Sequence, residues 1–211
     1  MRFFILSLSM IMFFVNPAMA QDERFWRKLV TGELTREQKK EPGVAKWVFS
    51  TPRYEFDLNS DGRNESLSVK VVDGMSVVEI YSHDKSLLFR GTLTGVGMDS
   101  KIYRLRLIDV SDKVRSLLIH FYEGKTESQR FEATARLYFV TFAKADMSKF
   151  SFQKGPQYWH EYEAPRDQYW RRKYAINIMD LNKDGAKEVF VNFNSSQSVW
   201  QYQNSGLWQE L

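Results

Sequence analysis

The amino-acid sequence predicts an all-β chain of about three antiparallel, four-stranded, propeller-blade-like units preceded by a short N-terminal helix. Three observations carry that expectation. Short β-branched or aromatic runs, many of them alternating, follow one another with Gly-containing breaks: RYEFDL, ESLSVKVV, SVVEIYS and SLLFRGTL. Strands ending apolar–apolar–Asp, or nearly so, open three groups at Asp57, Asp109 and Asp180, spaced by 52 and 71 residues. Propeller-type repeats place four strands in roughly 40–50 residues. Finally, DLNSDGRNE at 57–65 returns as DLNKDGAKE at 180–188 with six of nine positions identical. A β-sandwich would space its strands similarly and is the alternative architecture.

Residues 1–20 read as a cleaved export signal: Arg2, the apolar run FFILSLSMIMFFV, and a small-x-small ending at Ala18 and Ala20. No later segment approaches the 18 or so apolar residues of a spanning helix, so no membrane span is expected after cleavage. Residues 21–43 read as helical, with Phe25, Leu29 and Val30 near one face, a capping-box TREQ at 35–38, and Pro42-Gly43 as the stop. Residues 44–211 form a single β-repeat domain with units near 44–98, 99–156 and 174–211. Asp73-Gly74 is a hairpin signal within the first unit. The excess length of the second step falls at 157–173, read as an insertion loop.

Composition narrows the function. The 211 residues contain no cysteine, which excludes thiol nucleophiles, zinc–thiolate sites and disulfides although the expected periplasmic or extracellular location permits them. The net charge of +4 comes from 27% charged residues of both signs, an ordinary solvated surface that does not point to nucleic acid. No G-x-S-x-G turn, glycine-rich phosphate loop or H-E-x-x-H is present. His83, His120 and His160 are the three histidines, and His120 reads as a packed or surface strand residue.

The two matching turns carry the chemistry. Asp57, Asn59 and Asp61 alternate, so a tight turn can aim their oxygens inward. Gly62 supplies the positive φ that reverses the chain, the Arg63 carbonyl adds an oxygen, and Glu65 arrives at the next strand. Asp180, Asn182, Asp184, the Ala186 carbonyl and Glu188 repeat the set. Hard oxygen donors without nitrogen or sulfur suit calcium better than magnesium, which demands a stricter octahedron. An EF-hand is excluded, because its twelfth position would be Ser68 or Val191 and the flanks alternate as strands. The plain alternative is a pair of Asx-type turns with solvated acids.

The pattern D-x-[DN]-x-D-G-x-x-[DE] followed by β-branched residues resembles the FG-GAP or VCBS-type calcium-loop repeats of integrin α-subunit propellers and many secreted bacterial proteins. The resemblance covers the two turns and their flanking strands. It implies blade-like sheets with calcium in the turn between the first two strands, two ions in all, held by Asp57, Asn59, Asp61, Arg63 and Glu65 and by Asp180, Asn182, Asp184, Ala186 and Glu188. The FG and GAP motifs themselves are absent. In the middle unit, DVSDKVRSL puts Lys113 in the third ligand place, Val114 in place of glycine and Leu117 in place of Glu, so that turn is expected to be metal-free.

The sequence therefore leads to an exported, non-enzymatic binding or scaffold module with two structural calcium sites and an unidentified protein or glycan partner. The alternative is a secreted hydrolase acting on glycan or cell-wall material. A candidate contact patch lies at Tyr158, Trp159, Tyr162, Tyr169, Trp170, Arg171 and Arg172, where aromatic faces and guanidinium groups mix. The competing expectation is that these aromatics pack back onto the sheet.

Overall fold

A computed structural model of the chain describes residues 44–47, 53–93, 95, 100–127, 130–164, 168–173, 175–193 and 196–211. The expected signal segment and N-terminal helix lie outside the described residues. Those that are described form an all-β structure of fourteen strands in three antiparallel sheets.

The first sheet is a meander of β2 (Arg53–Phe56), β3 (Glu65–Val72), β4 (Met75–Tyr81) and β5 (Leu87–Leu93). Its β3–β4 hairpin turns at Asp73-Gly74, with φ values of 51° and 75°, the doubly positive pair that a tight hairpin needs. The middle sheet joins β6 (Lys101–Asp109), β7 (Val114–Glu127), β8 (Arg130–Ala143) and β9 (Asp146–Ala164). The third is β11 (Ala175–Met179), β12 (Glu188–Phe193), β13 (Ser196–Tyr202) and β14 (Trp208–Glu210). Three consecutive four-stranded meanders are thus present, as the sequence predicts.

Two features differ from that expectation. Strand β1 (Val44–Trp47) does not join the first unit; it pairs with β6, Val44 opposite Leu107, and extends the middle sheet. The stretch at 157–173 is not a loop. Its first half continues β9, and β10 (Gln168–Lys173) folds back on it with Trp170 opposite Tyr162, so the middle sheet has six strands. Pairing with β8 on one side and β10 on the other gives this part of β9 ladder partners along both edges, which a loop packed there would lack. The ladder absorbs Gly155-Pro156 as an irregularity: Arg136 faces Gln157 and Tyr138 faces Lys154. A proline, having no N–H to give, is tolerated at such a site.

The middle sheet is buried on both faces, and seven successive residues of β6 are buried, from Ile102 to Ile108. One face packs Leu105, Leu117, Ile119 and Phe142 against Tyr54, Phe56, Leu67 and Ile80 of the first sheet. The other packs Leu118, Leu137 and Phe139 against Ile176, Ile178, Val189 and Trp208 of the third. The outer side of the first sheet is polar. Arg53, Ser68, Glu79 and Arg90 stand in register across β2 to β5, and Glu79 takes Lys70 at 2.8 Å.

Candidate metal centres at the strand-connecting turns

Each sheet begins with a strand, a turn and a second strand, and the two turns with matching sequence have matching geometry. In the first, Gly62 N–H donates to Asp57 Oδ2 at 3.1 Å, Asp61 N–H to Asn59 Oδ1 at 3.1 Å, Arg63 N–H to Asp61 Oδ1 at 2.8 Å, and Leu58 N–H to Glu65 Oε2 at 2.8 Å. In the last, Gly185 N–H reaches Asp180 Oδ2 at 2.9 Å, Asp184 N–H reaches Asn182 Oδ1 at 3.0 Å, Ala186 N–H reaches Asp184 Oδ1 at 2.8 Å, and Leu181 N–H reaches Glu188 Oε2 at 2.9 Å. The side-chain amides of Asn59 and Asn182 each bond the adjacent aspartate, Asp61 or Asp184, at 3.0 and 2.8 Å.

The backbone explains the coincidence. Gly62 and Gly185 have φ of 83° and 88°, and Ser60 and Lys183, two residues earlier, have 66° and 62°. Left-handed conformations at the fourth and sixth positions fold the turn around its first acid, and glycine carries the more extreme one without a Cβ penalty.

One atom in each turn stands apart. Asp57 Oδ1 and Asp180 Oδ1 are buried and accept no hydrogen bond. A buried carboxylate oxygen without a donor is costly, and here the cost falls on the same atom of the same position twice. A cation would relieve it. Burial, partly offset by the Leu58 N–H, raises the Glu65 carboxyl above its usual range, whereas the Asn59 side chain and the Arg63 N–H lower that of Asp61. In their present arrangement no three acidic or histidine side chains among the described residues gather as a metal cluster. An ion here would draw on the Asn oxygen and the turn carbonyl as well. The donor chemistry, all oxygen, fits a hard divalent cation.

The middle turn keeps the position and changes the counter-charge. Asp109 Oδ1 receives Arg115 Nε at 2.7 Å and Lys144 Nζ at 2.8 Å. Burial would raise this carboxyl, but the two bonded cations outweigh it and hold it below the usual carboxylate range. Val114 needs no left-handed φ, since Val110 and Ser111 N–H both return to its carbonyl at 3.0 and 3.1 Å. Lys113, the residue singled out in the sequence, is exposed and touches this network through its carbonyl, which accepts Lys144 N–H at 2.9 Å. Sequence reasoning missed Arg115 and Lys144. Arg115 had a signal, since it shares the seventh turn position with Arg63; Lys144 lies a hairpin away and had none.

The three turns meet at one end of the stack. Arg115 Nη1 donates to the carbonyls of Asp57 and Leu58 at 2.8 and 3.1 Å, and Lys187 N–H donates to the Val110 carbonyl at 2.8 Å.

The aromatic patch is divided. Tyr158 and Trp159 are 4% and 1% exposed and belong to the core, so neither is available for ligand contact, and the packing expectation holds for these two. Tyr162 is half-buried, and Tyr169, Trp170, Arg171 and Arg172 lie on β10 opposite Glu163, Tyr162, Glu161 and His160. The Tyr158 hydroxyl meets the Tyr103 hydroxyl and lies 2.9 Å from His120 Nδ1.

His120 is fully enclosed, and its Nε2 has no partner. It faces Arg104 across β6 and Leu137 across β8, with Tyr158 from β9 and the rings of Tyr103 and Tyr158 edge-on at 5.7 and 5.4 Å. Burial first, then Arg104 and Arg106, push its pKa well below 6.5. The folded state therefore holds this imidazole neutral. Its contribution to stability is intact above the unfolded pKa of about 6.5 and is lost as pH falls from there toward the folded pKa. Urea unfolding of the natural chain should weaken below pH 6.5 with a slope of up to about 1.4 kcal/mol per pH unit from this group, and His120→Phe should remove that component. An unchanged slope in the variant would contradict the assignment.

Among the described residues no helix is long and apolar enough to cross a membrane. Comparison with protein-family models, with curated proteins and with solved structures returns no match.

Proposed function

We infer that the chain is an exported, non-enzymatic binding or scaffold module whose turns at 57–65 and 180–188 each hold a calcium ion, and that its partner is a protein or a glycan. The observation that carries the metal part is the pair of buried, donorless oxygens, Asp57 Oδ1 and Asp180 Oδ1, in two turns with the same bonds. Two turns formed independently as solvated Asx turns have no reason to bury the same carboxylate oxygen without a partner. The metal-free middle turn supports the reading from the other side, because there the same acid is satisfied by Arg115 and Lys144. The leader-like residues 1–20 support export.

Calcium in these turns supplies fixed positive charge and no activated water of consequence; the residues around it hold the first two strands of a sheet at a set angle. Extracellular calcium modules bind at about 10⁻⁴–10⁻³ M. At a hundredfold excess over Kd each ion contributes about 2.7 kcal/mol, on the order of 5–10 °C in Tm for a domain of this size. Melting the mature protein in calcium and in chelator should show a rise of about twice that, since two ions bind, and Asp61→Ala combined with Asp184→Ala should melt alike in both. A natural chain indifferent to calcium would overturn the proposal.

A further inference from the structure

We propose that Arg115 is a positioning residue for the first calcium turn, and that the middle turn, having exchanged its ion for two cationic side chains, serves as the brace of its neighbour. This rests on the calcium reading above. Arg115 spends its guanidinium on two turns at once: Nε holds Asp109 at 2.7 Å, and Nη1 holds the carbonyls of Asp57 and Leu58 at 2.8 and 3.1 Å. The peptide between Asp57 and Leu58 is consequently bonded at both polar ends, since its N–H donates to Glu65 Oε2 at 2.8 Å. The Leu58 side chain, 1% exposed, pins the same residue into the core between the first and middle sheets. Asp57, whose Oδ1 awaits a cation, is thus held at its backbone from both sides.

The third turn has the same internal bonds but a different brace. Its backbone link to the middle turn among the described residues is the bond from Lys187 N–H to the Val110 carbonyl at 2.8 Å, and Leu181, the counterpart of Leu58, is 49% exposed. The first turn should therefore bind calcium more tightly than the third, and Arg115 should account for the difference. Lysine cannot replace it, because a point-like ammonium cannot reach an acid and two carbonyls with separate donors in fixed directions. Charge and geometry make opposite demands here. Removing a positive charge beside a cation site would by itself strengthen binding, whereas losing a brace behind a ligand weakens it, commonly by 10–100-fold.

Calcium titration by calorimetry in two backgrounds tests this. In Asp184→Ala, where the first turn alone is complete, Arg115→Gln should weaken binding by about tenfold or more, and Arg115→Lys should weaken it in the same direction. In Asp61→Ala, where the third turn alone is complete, both should leave affinity within about twofold. Asp109→Asn, which keeps Arg115 but loosens its anchor, should give a smaller, first-turn-selective loss and serves if the arginine variants fail to fold. Unchanged or tighter binding in the first turn, or equal losses in both, would overturn the proposal. Absence of calcium binding in the Asp184→Ala parent with Arg115 in place would instead remove the calcium reading itself, and the proposal with it.

Discussion

Trp208→Ala is expected to cost about 3–5 kcal/mol of folding stability, the range for deleting a large buried aromatic. Trp208 lies on the three-residue strand β14, and the indole fastens the third sheet to the middle one. It stacks on Phe139 with ring centres 4.5 Å apart and planes 16° from parallel, and its Nε1–H donates to Thr141 Oγ1 at 2.9 Å. Its backbone N–H donates to Gln153 Oε1 at 2.8 Å. Truncation would open a cavity, take the indole donor from the Thr141 hydroxyl and leave β14 held by its β13 ladder and its backbone bonds to Gln153. Trp208→Phe keeps most of the stack and loses the indole N–H, for which about 1 kcal/mol is expected. Urea unfolding measures both. A loss below about 1 kcal/mol for the alanine variant would mean that the third sheet is not held this way.

What the sequence made legible is what is local. Asp73-Gly74 closes its hairpin because two positive φ angles are needed there, and the dipeptide announces them. The turns at 57–65 and 180–188 could be read residue by residue, since spacing within nine residues decides which oxygens and N–H groups meet. What could not be read is what spans the chain. β1 departs to the middle sheet because its partner β6 begins more than fifty residues later. The stretch at 157–173 reads as an insertion loop because the second repeat step is longer than the first, yet β9 and β10 carry it in a ladder. Arg115 reaches Asp109 from β7 and Lys144 from the turn after β8, and the grip of Arg115 on Asp57 and Leu58 joins two sheets. No periodicity encodes such contacts. The buried His120 illustrates the same limit: LLIHFY shows a strand, and only the fold shows two tyrosine rings and two arginines closing around it.

The second large effect concerns the first acid of each of the two matching turns, and its sign depends on the medium. Asp57→Asn and Asp180→Asn preserve the shape and replace a carboxylate whose Oδ1 is buried without a donor. In chelator each substitution should leave stability unchanged or raise it, because a carboxylate oxygen buried without a donor is removed. In calcium each should lose the ion-dependent increment, about 2.7 kcal/mol at a hundredfold excess of ion. The crossing of the two melting orders is the signature of an acid kept for a metal. An acid kept for the turn itself would destabilise in both media when replaced.

The central claim is that two turns of one design each take one ion while the middle turn takes none. Counting bound calcium per chain by equilibrium dialysis, for the natural chain, for each asparagine variant and for the pair, tests it directly. The expected counts are two, one, one and zero; a natural chain that binds no calcium, or a pair variant that still binds two ions, would contradict it.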